Sequence, residues 1–195
     1  WAEGRGGTGA LSLPGNTSST LRIPNPGPDE GAFSFAMWAY PRTPGDRYLI
    51  TRAVGTNANA LYLSIDGELS IAGGTTADLP YIKTDRWTHV TVTYDGQTAR
   101  AYFNGEEVYS VERPGADLQW SSDIWLGQEA DQVDGGFSDG QAFVGRIDDF
   151  VWYSHALTPS EVAALQTGIP AVDRNLEICD EKDNDCDGLI DEGCR

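Results

Sequence analysis

Residues 87–109 read WTHVTVTYDGQTARAYFNGEEVY. Apolar and polar side chains alternate between Trp87 and Tyr94, a pattern typical of a β-strand. Asp95-Gly96 and Asn104-Gly105 each follow a strand-like run, and such dipeptides favour the tight turns of hairpins. The stretch therefore predicts three antiparallel strands connected as a meander.

Other short runs up to residue 153 also have the composition of strands. Residues 33–40, FSFAMWAY, are apolar at nearly every position, which predicts a strand buried on both faces. Residues 11–24 place two apolar stretches around a Gly/Asn/Ser/Thr turn, which predicts a hairpin. Asp66-Gly67 favours a further turn between two strands. The remaining strands are predicted at 48–50, 61–65, 68–72 and 147–153.

One helix is predicted after these strands. Thr158 can cap it, Pro159 suits its first position, and Glu161 completes a capping box. Many short strands with one small helix predict an all-β sandwich.

The composition agrees with a turn-rich β protein and limits the partners. The 195 residues include 23 Gly and 10 Pro, and 39% are hydrophobic. The net charge of −17 excludes nucleic acid and anionic membranes as favourable partners. No run reaches the roughly 18 apolar residues that a membrane helix needs, so membrane insertion is not expected. The start at Trp1, without a signal peptide, favours a mature or trimmed form.

A second informative stretch runs from Ile124 to Asp149, where two apolar runs enclose an acidic loop. Oxygen ligands on a glycine-rich backbone suit a hard cation, above all calcium. The alternative is a solvated acidic loop that binds nothing. The candidate oxygen donors of this loop are Glu129, Asp131, Asp134, Asp139 and Gln141.

The last twenty residues form a separate, strongly acidic segment. They carry eight acidic and two basic side chains, which would repel one another without a cation or a crosslink. A D-x-D-x-D-G spacing lets alternate carboxylates converge while the glycine permits a sharp turn, as in calcium loops. The predicted ligands are Asp183, Asp185, Asp187, the Leu189 carbonyl, Asp191 and Glu192, the last in place of the usual twelfth-position Glu.

All three cysteines of the chain lie in this segment, and their pairing is open. Cys179 could pair with Cys194 or with Cys186, and the sequence does not choose among the three combinations. The odd cysteine favours a link to another chain or to residues beyond Arg195. A zinc site on the three thiolates and a disordered acidic tail are the alternatives to a calcium loop.

Catalytic chemistry has little support in the sequence. Residues 129–134, EADQVD, are similar to the E-x-D-x-x-E strand of glycoside hydrolases, but the glycines that follow favour a loop over a rigid strand. Ser154-His155 has no glycine-framed nucleophile beside it. The tryptophans within strand patterns, which are predicted to lie in the core, are Trp38, Trp87 and Trp152.

The middle of the chain resembles the concanavalin A-like jelly rolls, in the branch that holds laminin-G-like and pentraxin domains. The resemblance covers about residues 10–168 and implies a two-sheet antiparallel jelly roll with one short helix. The motifs that carry it are FSFAMW at 33–38, WTHV at 87–90, YDG at 94–96, YFNG at 102–105, GRIDDF at 145–150 and LTPSEV at 157–162.

Within that branch, residues 126–145 are similar to the calcium loop of pentraxins, which places two calcium ions side by side. The resemblance implies that Glu129 and Asp131 bridge both ions. It also implies that the Ala130 carbonyl binds the first ion and that Gln141 binds the second.

The same resemblance is weaker at other positions. The last acid of the second ion's site falls on Ser138, with Asp139 one residue away. An earlier Asp-Asn pair of ligands matches residues 57–59, which supply Asn57 and Asn59 instead. The two cysteines of the usual pentraxin disulfide fall on residues 36 and 91, an alanine and a threonine.

Residues 179–192 are similar to a metal-binding motif repeated in bacterial surface proteins, and to thrombospondin type 3 and EF-hand-like loops. We therefore expect a jelly-roll domain at 1–168, a linker at 169–178 and a calcium-binding motif at 179–195.

The expected function is calcium-dependent binding of glycans or phosphoryl-bearing surface groups, without catalysis, by a lectin or adhesion module outside a bacterial cell or on its surface. One alternative is a structural module of an adhesin or filament, in which calcium only stabilises and neighbouring subunits are the partners. A glycoside hydrolase is the remaining alternative.

Overall fold

The computed structural model describes residues 2–5, 9–25, 31–45, 47–71, 74–76, 79–114 and 122–167. These ranges form two sheets, one α-helix and a 3-10 turn at Asp139–Gln141. The strands and the helix are β1 Ala2–Glu3, β2 Gly9–Pro14, β3 Leu21–Ile23, β4 Phe33–Pro41, β5 Tyr48–Gly55, β6 Ala58–Ser64, β7 Leu69–Ile71, β8 Gly74–Thr76, β9 Thr88–Tyr94, β10 Thr98–Phe103, β11 Glu106–Glu112, β12 Ile124–Leu126, β13 Val144–Tyr153 and α1 Pro159–Gln166.

The two sheets confirm the predicted all-β sandwich. One has the strand order β1-β2-β13-β4-β9-β10-β11 and the other the order β3-β12-β5-β6-β7-β8. Neighbouring strands pair antiparallel throughout both sheets. The meander is confirmed, since Asp95-Gly96 joins β9 to β10 and Asn104-Gly105 joins β10 to β11.

The core lies between the two sheets. Phe33, Phe35 and Met37 of β4 pack in one cluster with residues of the opposite sheet, including Leu61 and Leu63 of β6, and all five are 2% exposed or less. Burying a side chain of this size contributes about 1.5–3 kcal/mol. The prediction that β4 is buried on both faces is confirmed, because its outward-facing residues are also covered.

The predicted hairpin at residues 11–24 is wrong. Strand β2 pairs with β13 in the seven-stranded sheet, whereas β3 pairs with β12 in the six-stranded sheet. The turn between them, closed by the Ser19 N–H on the Asn16 carbonyl at 2.9 Å, therefore carries the chain from one sheet to the other. Turn residues specify that the chain reverses, but they do not specify which strand each arm will pair with.

The helix covers part of the outer face of the seven-stranded sheet. The predicted capping box is present, since Thr158 accepts from the Glu161 N–H and the Glu161 side chain accepts from the Thr158 N–H. Val162 and the preceding Leu157 pack on Tyr102, which is the register partner of Thr91. The alternation of β9 indicates one covered face, but all seven of its residues are buried, so its second face is covered as well.

The predicted core tryptophans occupy three different environments. Trp38 is buried, but it lies on the outer face of the sheet, beneath the guanidinium of Arg5 at 3.7 Å. Trp152 is half-buried and stacks on Phe33 of the core, with ring centroids 5.1 Å apart. Trp87 is also half-buried, with its ring edge-on to Tyr40, so only part of the tryptophan prediction holds.

His89 lies in β9, and its side chain is buried against the Trp38 ring. Burial, and to a lesser degree the positive charge of Arg5, lower the pKa of His89 from 6.5 to about 4. The folded state therefore favours neutral His89, and this contribution is complete above pH 6.5 and is lost as the pH falls towards 4. The full loss is about 3 kcal/mol.

We expect His89→Gln to reduce the loss of unfolding free energy between pH 7 and pH 4.5. The unfolding free energy of wild type and variant should be measured by urea denaturation at each pH. Carboxylates titrate in both proteins, so their contribution cancels when the two losses are subtracted. Equal losses in the two proteins would show that protonation of His89 is not coupled to folding.

Ala36 and Thr91, the positions of the missing pentraxin disulfide, are direct partners in the register of β4 and β9. The two strands are held together here by hydrogen bonds and packing alone. The linker at 169–178, the cysteines and the calcium motif at 179–195 lie outside the described residues and stay predictions. No helix in the described part of the chain is long and apolar enough to cross a membrane.

Candidate functional site

The acidic loop begins where the chain leaves β12. Gly127 has φ +83°, and a Cβ at this position would lie 2.4 Å from a methyl carbon of Leu13, so only glycine fits without rearrangement. The Gly127 N–H donates to the Leu49 carbonyl at 2.9 Å, and its own carbonyl accepts from the Phe143 N–H at 2.9 Å. These bonds close residues 128–142 into a loop with both ends fixed to the sandwich.

The first part of the loop packs on the outer face of the six-stranded sheet. The Thr51 hydroxyl of β5 donates to the Gln128 carbonyl at 2.7 Å. Ala130 is fully buried in a cluster with Ala53, Trp125 and Phe137. Residues 128–130 are therefore fixed in place, whereas residues 132–134 are exposed.

This packing directs four of the predicted ligands towards one another. The Asn59 side-chain amide, at the start of β6, donates to Glu129 Oε1 at 2.9 Å. The Asn57 N–H donates to the Asp131 carbonyl at 2.8 Å, which joins the β5–β6 turn to the loop. The Asp131 carboxylate and the Gln141 amide also lie close enough to influence the ionisation of Glu129.

Glu129 is the residue whose chemistry is most altered by this arrangement. It is 8% exposed, and burial followed by repulsion from Asp131 raises the pKa of its carboxyl, while the Asn59 and Gln141 amides oppose the shift. Glu129 Oε2 and Asn59 Oδ1 are both buried and accept no hydrogen bond within the described ranges. A buried acceptor without a partner costs about 1–3 kcal/mol, and more when it is charged, so a cation bound to these oxygens would remove a real penalty.

Other predicted ligands lie apart from this group. Asp139 Oδ1 accepts from the Thr17 N–H at 2.6 Å, Ser138 is exposed, and Asp134 is exposed on the loop. Asn57 adopts φ +52° with an exposed side chain. In the part of the chain that the structure describes, no three His, Cys, Asp or Glu side chains converge on a possible metal position. A cation would therefore need amide and carbonyl oxygens beside the two carboxylates.

The E-x-D-x-x-E similarity does not extend to a strand. Gln132 and Gly135 form an isolated bridge, with N–H to carbonyl bonds of 2.9 and 3.0 Å, so the chain reverses where a catalytic strand would continue. The prediction of a loop is confirmed, and no rigid carboxylate pair of the glycosidase kind is formed by Glu129 and Asp134.

Sequence reasoning missed two groups that shape the site. Arg47 donates to the carbonyls of Asp139 and Ala142, at 3.1 and 3.0 Å. Trp125, which no strand pattern placed, packs edge-on against Phe137 with ring centroids 4.9 Å apart. The apolar run Ile124–Leu126 was the signal that could have placed Trp125 on a strand. Nothing local in the sequence connects Arg47 to the loop.

Known proteins similar to this chain include two human pentraxins. Neuronal pentraxin-1 is 34% identical over 149 residues, which are 72% of this chain and 34% of that protein. Pentraxin-4 is 30% identical over 152 residues, or 70% of this chain and 31% of that protein. The chain thus spans about a third of the length of these relatives.

Two solved structures show the same fold at lower identity. A heptameric SAP-like pentraxin from Limulus polyphemus has a TM-score of 0.60 and 20% identity, covering 80% of this chain and 81% of that one. Domain 4 of an extracellular arabinanase from Geobacillus stearothermophilus, solved with arabinotriose, has a TM-score of 0.62 and 24% identity, covering 85% and 79%.

One family model matches most of the sandwich domain. Residues 14–163, from β2 to the middle of α1, match one family model, and the pentraxin relatives and the jelly-roll architecture agree with it. The chain belongs to the concanavalin A-like lectin/glucanase superfamily, in its laminin-G-like form.

Proposed function

We propose that this domain is a non-catalytic, extracellular module that binds glycans or phosphoryl-bearing surface groups through calcium. The observation that carries the proposal is the pair of buried acceptors without partners, Glu129 Oε2 and Asn59 Oδ1, beside the carboxylate of Asp131. Oxygen atoms in this arrangement match the ligand preference of calcium.

Glu129, Asp131, Asn59 and Gln141 are the residues that would hold the ion. A bound calcium ion would supply open coordination positions for oxygen atoms of the ligand. The protein's part is to fix the ligating side chains before binding, through the Asn59–Glu129 hydrogen bond and the buried Ala130. Because two of the four side chains are neutral amides, we expect a modest affinity, on the order of 10⁻⁴–10⁻³ M as in other extracellular modules.

The comparisons support a binding role and an extracellular setting. Pentraxins are similar in sequence, and the arabinanase domain of the same fold was solved with a bound trisaccharide. The turn at residues 132–135 gives no support to hydrolysis, so we propose recognition without catalysis.

A structural role for the ion is the second candidate, favoured by the burial of Glu129. In that case calcium stiffens the loop of an adhesin or filament, and neighbouring subunits are the partners. The heptameric Limulus pentraxin is an example of this fold in an assembly of subunits.

We expect the domain to bind members of an array of glycans and phosphorylated ligands in millimolar calcium and to lose them in a chelator. Asp134→Asn provides the matched control, because Asp134 is an exposed acid of the same loop outside the ligand group. Binding that survives chelation would reject the calcium-dependent mechanism. Absence of binding in both conditions, together with a melting temperature raised by calcium, would support the structural role instead.

A further inference from the structure

We infer that this loop holds one calcium ion rather than two, and that Asp139 is a positioning residue that fastens the loop to the turn at residues 16–19. The inference rests on the proposed function, since it specifies the number of ions and the residues of the same site. It departs from the two-ion arrangement that the similarity to pentraxin loops implies.

The Asp139 carboxylate already has a partner outside the ligand group. Its Oδ1 accepts from the Thr17 N–H at 2.6 Å, across 122 positions of sequence. The turn that presents this N–H is itself fixed, because the Ser18 N–H donates to Asn16 Oδ1 at 3.1 Å and the Asn16 N–H donates to the Ser19 hydroxyl at 2.9 Å. The carboxylate thus joins two turns that lie far apart in the sequence.

A positive charge lies beside the Asp139 end of the loop. The guanidinium of Arg47 donates to the carbonyl oxygens of Asp139 and Ala142. Arg47 therefore occupies two carbonyl oxygens at this end of the loop and places a positive charge next to them. A divalent cation within several ångströms of a guanidinium is repelled by it.

The side chains of the ligand group carry too little negative charge for two ions. Two adjacent calcium ions carry four positive charges, whereas Glu129 and Asp131 supply two negative ones, and the side chains at 59 and 141 are neutral amides. Position 138, where the similarity places the remaining acid, is an exposed serine. One ion is neutralised by the two carboxylates, and a second ion would be left uncompensated beside the first.

The number of ions at the loop can be tested by subtracting the calcium bound by a loop variant from the calcium bound by wild type. Calcium bound by the acidic C-terminal segment is the same in both proteins and cancels. Calcium bound per chain is measured by equilibrium dialysis for the full chain and for Glu129→Ala. We expect the variant to lose one ion. A loss of two ions would overturn the one-ion inference and leave the proposed function standing, whereas no loss would overturn the proposed function itself.

The role of Asp139 is tested by two substitutions. Asp139→Asn keeps an oxygen acceptor for the Thr17 N–H but removes the charge, so we expect calcium affinity within about twofold of wild type and an unchanged ion count. Asp139→Ala removes the acceptor, and we expect about a tenfold loss of affinity, which is typical when a group that orients a metal ligand is removed.

Two results would overturn the role of Asp139. If Asp139→Asn lost an ion per chain, Asp139 would be a ligand. If Asp139→Ala bound calcium as wild type does, the contact with Thr17 would have no positioning role. Melting of each variant in chelator shows whether the fold is intact and separates a local effect from general destabilisation.

Discussion

Glu129→Gln should raise the melting temperature of the calcium-free protein and remove most of the increase that calcium gives at this loop. In the absence of an ion, the Glu129 carboxylate is buried and is repelled by Asp131. Glutamine has nearly the same shape, retains an oxygen for the Asn59 amide and carries no charge. The substitution therefore removes a penalty in the free protein and a principal ligand in the bound one.

The calcium-dependent part of this effect has a size that follows from mass action. An ion present at a hundred times its dissociation constant stabilises the folded state by about 2.7 kcal/mol. For a chain of this size that corresponds to a rise of roughly 5–10 °C. Calorimetry in chelator measures the change in the melting temperature of the calcium-free protein, and calorimetry in calcium measures the increase that the ion gives. Asp134→Asn is the matched control, because it also removes one negative charge from the loop. If Glu129→Gln kept the wild-type response to calcium, the ion would bind elsewhere in the chain.

Gly145→Ala should destabilise the domain by about 3 kcal/mol or more, or prevent folding. Gly145 lies in β13, paired with Leu13 of β2 on one side and Pro41 of β4 on the other. A Cβ here would lie 2.3 Å from the Tyr40 carbonyl oxygen and 2.7 Å from a ring carbon of Phe143. The carbonyl belongs to a paired strand and cannot move without breaking the sheet.

Gly140→Ala provides the control for Gly145→Ala. A Cβ at position 140 would meet only the Ser138 hydroxyl, at 3.7 Å, and the residue is exposed. We expect a change within about 0.5 kcal/mol. Urea denaturation of both variants in chelator gives the comparison. Similar midpoints for the two would mean that β13 does not pass between β2 and β4 in this register.

Local patterns were sufficient for most strands and for the helix. The dipeptides at 95–96 and 104–105 specify their turns because the backbone conformation of each turn depends on its own residues. The capping box of α1 is also a local interaction. Prediction failed at residues 11–24, since the pairing of β2 with β13 and of β3 with β12 depends on residues more than a hundred positions away.

The candidate site also combines residues that a local sequence pattern identifies with contacts between distant residues that no pattern identifies. Its acids were identified from their density and from the similarity to pentraxin loops, and the structure brings Glu129, Asp131, Asn59 and Gln141 together. The contact of Asp139 with Thr17 and the position of Arg47 had no signal in the sequence, because one or two hydrogen bonds between distant loops leave no local pattern.

The position of the helix determines how the site would be displayed. α1 lies on the outer face of the seven-stranded sheet, whereas the acidic loop packs on the outer face of the six-stranded sheet. The two features thus occupy opposite sides of the sandwich. A surface, a bead or a second domain that covers the outer face of α1 would therefore leave the acidic loop uncovered and accessible to large ligands.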